Sequence, residues 1–318
     1  MFTRPLMRFV PDGTRIRFMR GRFLGIAVSA VLSTISVILF FYPGLNLGID
    51  FAGGIVMEVR TQGPADLAKI RVGLAEHGLH AAGVQRFGAF DDVLIRLEAQ
   101  PTAKATQKVV DEVRAGLEQV QPGSRVLRTD AVGPSVSAEL YRNGLLALGI
   151  SILMILVYIW FRFEWQFAVG AVATLLLDVT KTIGFLAITR LEFDLVMVAA
   201  ILTVLGYSTN DKVVVYDRVR ENLRKYKTMP LRELIDLSIN ETLNRTLGTS
   251  ATVFLASLPL ALFGGTTLSG FAWVMLFGIV IGTSSSIFIA APILLFLGEH
   301  RLRRDAQAPI APAKAKQA

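Results

Sequence analysis

Asp178 with Lys181, Asp211 with Lys212, and Arg245 with Thr249 are the residues of this 318-residue chain whose types and spacing can do chemistry, because they lie inside or at the ends of long apolar runs. An ionisable group in hydrocarbon is costly and faces a partner or a water-filled cavity. Asp178 and Lys181 are three residues apart, so on a helix they share a face and can pair locally. Asp211 and Lys212 are adjacent, and neighbouring helical residues point about 100° apart, so Asp211 needs a partner from another helix. Arg245, which opens the next apolar run, is the natural candidate, with Thr249 one turn along the same face as a hydroxyl donor. Desolvation favours the protonated carboxyl and a guanidinium the charged one, while arginine itself stays charged. A carboxylate between those influences can take up and release a proton as the arginine or water moves. Two plainer readings stand beside this one: static ion pairs joining helices, and groups at the water interface, since Asp211 falls near the expected inner end of its span. Gly206 and the run Ser208-Thr209-Asn210 argue instead for a polar, unwound stretch lining a cavity.

The elements that must carry these residues follow from composition. Hydrophobic residues make up 53% of the chain and charged residues 18%, against about 25% charge in soluble domains. A membrane span needs about 20 mostly apolar residues. Spans are expected at Phe23–Tyr42, Leu145–Phe161, Phe167–Ile188, Leu195–Val215, Leu247–Phe263 and Phe271–Leu297. Arg4, Arg8, Arg15, Arg17, Arg20 and Arg22 precede the first, as in a signal peptide. Its apolar region is too long for one, and Phe41-Tyr42-Pro43-Gly44 offers no small-x-small cleavage site, so it reads as an uncleaved anchor. Lys and Arg concentrate at the N-terminus, in Arg218–Arg232 and after Glu299, whereas the two short opposite loops carry only Arg190. By the positive-inside rule both termini are cytoplasmic. The net charge of +8 therefore flanks membrane spans, and no nucleic-acid partner is expected.

The fold class expected is a polytopic α-helical membrane protein with one α+β ferredoxin-like domain on the outer side. Its parts are a basic N-terminus (1–22), a first span (23–42), a soluble domain (43–140), a five-helix membrane half (141–298) and a disordered tail (299–318). The soluble part reads as strand Gly54–Arg60, helix Ala65–His77, strand Val84–Phe87, strand Asp92–Glu98, helix Thr102–Val120 and strand Arg125–Val132. Val93, Ile95 and Leu97 alternate with polar residues, and Val109, Val113, Leu117 and Val120 repeat at helical spacing. The order β-α-β-β-α-β is the split motif, a scaffold that by itself names no ligand. Gly278-x-x-x-Gly282 and the run Thr283-Ser284-Ser285-Ser286 allow close packing, against another subunit or within the bundle. Pro259 and Pro292 are expected to kink the last two spans.

Several chemistries are excluded. The chain has no cysteine, hence no disulfide framework, thiolate metal site or cysteine nucleophile. His77, His80 and His300 lie outside apolar runs, so no buried histidine metal centre is expected. With no G-x-x-x-x-G-K-[ST] and no H-E-x-x-H, any work is expected to come from ion flow rather than ATP. No cofactor and no enzymatic activity are expected, with protons as the coupling ion.

The chain resembles the SecF family of protein-export membrane proteins, within the SecD/SecF group of the resistance-nodulation-division superfamily. The most specific pieces are Gly48-Ile49-Asp50-Phe51-Ala52-Gly53-Gly54 and Gly206-Tyr207-Ser208-Thr209-Asn210-Asp211, the latter running into Val213-Val214-Val215-Tyr216-Asp217-Arg218-Val219-Arg220-Glu221-Asn222. Asn244-Arg245-Thr246 with Thr249-Ser250, and Phe263-Gly264-Gly265, agree. The resemblance implies an inner-membrane subunit that pairs with SecD. Beside the SecYEG channel and YajC, after SecA has acted, it helps draw unfolded preprotein across the bilayer at the expense of the proton gradient. It assigns the relay to Asp211, Arg245 and Thr249, with Asp178 as a second carboxylate, and the joint of soluble domain and bundle to Asp50, Gly53 and Gly54. Lys181 and Lys212 depart from the family pattern and tune the relay, which leaves proton against sodium open. The competing functions are a non-transporting scaffold of the translocon and a half-transporter exporting another substrate.

Overall fold

The computed structural model describes residues 11, 14–79, 83–86 and 90–297; His80, Phe87, His300 and the expected tail lie outside them. A 3₁₀ turn at Phe18–Gly21 leads into α1 (Arg22–Phe41). Strand β1 (Asn46–Leu47) and the short α2 (Ile49–Ala52) then lead to β2 (Gly54–Arg60), α3 (Leu67–Glu76), β3 (Gly83–Arg86), β4 (Asp92–Leu97), α4 (Ala103–Val120) and β5 (Arg125–Val132). The remainder is α5 (Pro134–Arg162), α6 (Trp165–Thr189), β6 (Glu192–Phe193), α7 (Leu195–Lys225), α8 (Leu231–Phe263) and α9 (Gly265–Ser285). A π-helical turn (Ser286–Ala290) and α10 (Ala291–Phe296) complete the last span. Among the described residues, six helical stretches are long and apolar enough to cross a membrane.

The soluble domain is the split motif. Its antiparallel sheet has the order β3-β4-β2-β5, with Ile55 opposite Leu97, Met57 opposite Ile95 and Val59 opposite Val93. Period-two alternation puts Ile55, Met57, Val59, Val93, Ile95 and Leu97 on one face, where Ile70, Leu74, Val110, Val113 and Leu117 of the two helices cover them. Asp66 and Thr102 accept from the first free backbone N–H groups of α3 and α4, the usual stop on the unpaired amides of a helix start.

Two helices start well before the expected apolar runs: α5 at Pro134 rather than Leu145, and α8 at Leu231 rather than Leu247. The apolar run measures the part that hydrocarbon can surround, whereas the helix continues for as long as its polar groups find partners. At the opposite end of the bundle from the soluble domain, Arg162 pairs with Asp217 at 2.7 Å, Arg220 with Glu164 at 3.1 Å and Arg218 with Glu241 at 2.7 Å. Asp217, Arg218 and Arg220, which with Glu221 read from sequence as a solvated helix exit, thus tie helix ends together, while the exposed Glu221 pairs only with Arg218 of its own helix. A second expectation is corrected at Gly206–Asp211: α7 runs unbroken through them, because Tyr207, Ser208 and Asp211 meet partners from other helices without the backbone having to unwind.

Small residues set the spacing of this half. Helix α9 runs alongside α7 in constant register. A Cβ on Gly278 would strike the Val204 side chain, and one on Gly282 would come within 3.0 Å of Ser208 Cβ. The G-x-x-x-G motif is therefore consumed inside this chain. On α1, Gly25 faces Phe288 of the π turn, and Ser29, Ser33 and Ser36 make a buried small-residue stripe, with Ser36 against Gly184 of α6. Pro259 sits inside α8, which continues to Phe263. At Pro292 the missing N–H and the ring's clash with the preceding turn coincide with the π turn. Gly278→Val is expected to destabilise the protein by about 1–3 kcal/mol through overpacking. Val204→Ala in the same chain should recover part of that loss, read as the thermal midpoint in detergent.

Candidate functional site: a charge network within the spans

Asp178, Lys181, Asp211 and Lys212 are each less than 5% exposed. Asp178 projects from α6 toward α7 and α9. Its Oδ2 accepts from Ser208 Oγ at 2.7 Å, Lys212 Nζ at 2.8 Å and Ser285 Oγ at 2.8 Å. Its Oδ1 has Lys181 Nζ at 3.7 Å, one helical turn away. Lys212 also donates to the Ser208 hydroxyl, and its Nζ lies 3.4 Å from the Ser208 carbonyl. The spacing of 208 and 212 along α7 is what allows one residue to cradle the other's ammonium.

Asp211, one residue away, looks elsewhere. Its Oδ2 accepts from Ser286 Oγ at 2.5 Å, and Ser286 Oγ is also 2.8 Å from the Thr283 carbonyl. Consecutive serines thus serve two carboxyls on two different helices. The buried Thr246 hydroxyl adjoins Asp211 without a hydrogen bond of regular geometry. Among the described residues, no cation lies within ion-pair distance of Asp211. Close by, Tyr207 Oη donates to Ser250 Oγ at 2.6 Å, and that hydroxyl is 2.8 Å from Thr283 Oγ1. Hydroxyls from α7, α8 and α9 therefore lead toward the Ser286–Asp211 contact. Further along, Tyr216 Oη donates to the Ala290 carbonyl at 3.0 Å, closing the α7–α9 contact at the π turn.

The expected Asp211–Arg245 pair is not formed. Arg245 and Thr249 do share one face of α8, but that face is exposed, and the Thr249 hydroxyl donates to the Arg245 carbonyl at 3.0 Å. The inward face carries the next residue of each turn, Thr246 and Ser250. The Asp178–Lys181 contact is present but longer than the cross-helix contact to Lys212. Ser208, Thr246, Ser285 and Ser286 escape a sequence search guided by charge. The signal that marks them is polar spacing: Ser208 one turn before Lys212, and serines directly after a helix-contact glycine motif.

At the other end of the spans, Gly53 and Gly54 adopt φ values of 72° and 130°, and a Cβ on Gly54 would lie 2.7 Å from the Leu97 carbonyl. Only glycine suits both positions. Asp50 Oδ2 accepts from the Leu195 amide at 3.2 Å, and Asp194 caps α7 through the Met197 amide at 2.8 Å. Burial, with Asp50's charge adding to it, pushes the Asp194 carboxyl above the ordinary carboxylate range. Strands β1 and β6 pair in parallel, Phe51 packs on Phe193, and Arg96 pairs with Glu192. The root of the soluble domain is thereby stitched to the α6–α7 connection.

Residues 112–300 match the family described as "Protein export membrane protein SecD/SecF, C-terminal", and residues 38–65 match the "SecD/SecF GG Motif". The protein translocase subunit SecF of Rickettsia felis is 43% identical over 94% of this chain and 97% of its own length. This chain belongs to the SecD/SecF family. The protein translocase subunit SecDF of Brucella abortus is 45% identical over 94% of this chain, which spans 39% of that longer protein. A crystal structure of SecDF from Thermus thermophilus, titled a translocon-associated membrane protein, superposes with a TM-score of 0.82 at 32% identity, covering 92% of this chain and 40% of that one. SecD/SecF membership makes the protein a multi-pass membrane subunit of the protein-export machinery, and the second family motif coincides with the Asp50–Gly54 joint described above.

Breaking a buried ion pair by removing one partner costs about 3–5 kcal/mol, whereas replacing both with apolar groups can be neutral. Asp178→Asn and Lys212→Met are each expected to lower the thermal midpoint of the purified chain clearly. The double variant should melt closer to wild type than either single one.

Proposed function

We propose that this SecD/SecF-family chain is the SecF subunit of a proton-coupled protein translocase of the bacterial inner membrane. The observation that carries the reading is Asp211: a carboxyl buried within the spans, without an ionic partner among the described residues, held by a single serine and approached by a line of hydroxyls. Such a group can change its protonation state at little structural cost, because hydroxyls serve either form. Asp178, by contrast, receives three donors on one oxygen and is the fixed member of the pair. Thr246, rather than Thr249, is the hydroxyl that supports Asp211 from α8.

Arg245 supports a second part of the proposal. It lies at the level of Asp211 on an exposed face of a spanning helix, where an unpaired guanidinium would be costly. SecD, present in one polypeptide with SecF in the SecDF relatives, is the partner we assign to that face. Movement of Arg245 relative to Asp211 across this contact would couple proton binding to a change of shape. In this arrangement both termini are cytoplasmic and the split-motif domain stands on the outer side. There it acts on unfolded preprotein emerging from SecYEG, with YajC in the assembly, after the SecA-driven stage. The joint at Asp50, Gly53 and Gly54 transmits the motion.

The test uses cells depleted of the endogenous protein and pulse-labelled for a secreted preprotein. Wild type should restore maturation. An equally abundant Asp211→Asn should fail to do so while still co-purifying with SecD, with maturation slowed at least ~10-fold. If Asp211→Asn rescues fully, the relay assignment is wrong and the subunit works as a scaffold.

A further inference from the structure

Lys212 is buried, yet its ammonium does not serve the carboxylate next to it in sequence. It is held instead by oxygens: Asp178 Oδ2 at 2.8 Å, the Ser208 hydroxyl, and the Ser208 carbonyl at 3.4 Å, while Ser285 Oγ donates to the same carboxylate oxygen at 2.8 Å. One carboxylate oxygen, one hydroxyl and a backbone carbonyl form an all-oxygen set of the kind a hard cation takes. An ammonium is a compact, strongly hydrated point charge of that kind. Its three protons match the three acceptors around it.

We propose that Lys212 determines which ion this protein can use: its ammonium permanently occupies an oxygen cage on α6 and α7 that would otherwise take a sodium ion, and so leaves proton exchange at Asp211 as the coupling event. The proposal rests on the ion-coupled reading above. The charges facing one another here are Asp178 and Lys181 from α6 and Asp211 and Lys212 from α7, two of each sign. Removing the lysine leaves this group one positive charge short, in a place where an uncompensated carboxylate is costly. The deficit can be met in two ways: a cation enters the vacated cage, or a carboxyl takes up a proton. The cage geometry favours the cation, because Asp178 Oδ2 and the Ser208 oxygens already converge on one point. Lys181 cannot substitute, since it sits 3.7 Å from the other carboxylate oxygen.

The experiment is the thermal midpoint of the full-length chain in nanodiscs, titrated with NaCl, KCl or choline chloride, for wild type, Lys212→Ala and Lys212→Met. Lys212→Ala opens the cage, and its midpoint should rise by ~5 °C or more at saturating sodium and not with choline. Lys212→Met fills the space without a charge and should not respond to sodium, and wild type should be equally indifferent. The proposal is overturned if Lys212→Ala responds alike to all three salts, or if it is stabilised only by lowering the pH. It is equally overturned if the variant folds in none of the salts, because sodium has then failed to replace the ammonium. No transport enters this measurement, so it can fail while Asp211→Asn still abolishes export, and it can succeed while Asp211→Asn does not.

Discussion

The constraint on which this molecule depends is the cost of charge inside hydrocarbon. Four ionisable side chains are buried among α6 and α7, and an ion moved from water to a low-dielectric interior loses several kcal/mol even after relaxation. That loss is tolerable only where oppositely charged groups touch and their remaining hydrogen-bonding capacity is filled. Asp178 meets the first through Lys212 and Lys181 and the second at one of its oxygens, which Lys212, Ser208 and Ser285 fill. Asp211 touches no cation among the described residues and is held by Ser286 alone. The two carboxyls differ in kind although they sit on adjacent helices, and the difference lies in their neighbours rather than in their depth.

Packing supplies what the electrostatics requires. A hydroxyl on α9 can reach carboxyls on both α6 and α7 only if the helices approach more closely than branched side chains permit. Gly278 against Val204 and Gly282 against Ser208 bring α7 and α9 together, and the next residues in register are Ser285 and Ser286. The π turn that begins at Ser286 changes the helical phase there, as inserted residues at functional helices commonly do. The same glycines that look like an oligomerisation motif thus act as spacers for a polar contact one turn further on.

Most of the architecture is legible in the sequence, for reasons of period and length. Six apolar runs mark six spans, and Val93, Ile95 and Leu97 disclose a half-buried strand whose partners follow from the split motif. What sequence cannot supply is helix rotation. Arg245 and Thr249 are read correctly as sharing a face of α8, yet which way that face points depends on how α8 packs against α7 and α9, and the structure turns Thr246 and Ser250 inward instead. The pairing of Lys212 with Asp178 is hidden for the same reason: proximity in sequence to Asp211 suggests a local relationship, whereas adjacent helical positions diverge. The two-residue strands β1 and β6 carry no periodic signal at all, being too short to show one.

The charges of the spans also bear on how many chains complete the unit. Within the buried group Asp178 and Asp211 balance Lys181 and Lys212, so the interior needs no further ion for neutrality. Arg245 is then an additional positive charge, at the same level but on the outside of α8, where Leu255, Leu262 and Phe263 are also exposed toward the end of the helix. An apolar surface of that kind suits lipid, but a guanidinium among it does not. The arrangement makes physical sense when that side of α8 faces protein that brings an acceptor for Arg245. Asp211 then lies between a closed network behind it and a chargeable contact in front of it. Under the proposed pairing, a group in that position would respond to movement of the neighbouring chain, whereas Asp178, enclosed by its own helices, would not.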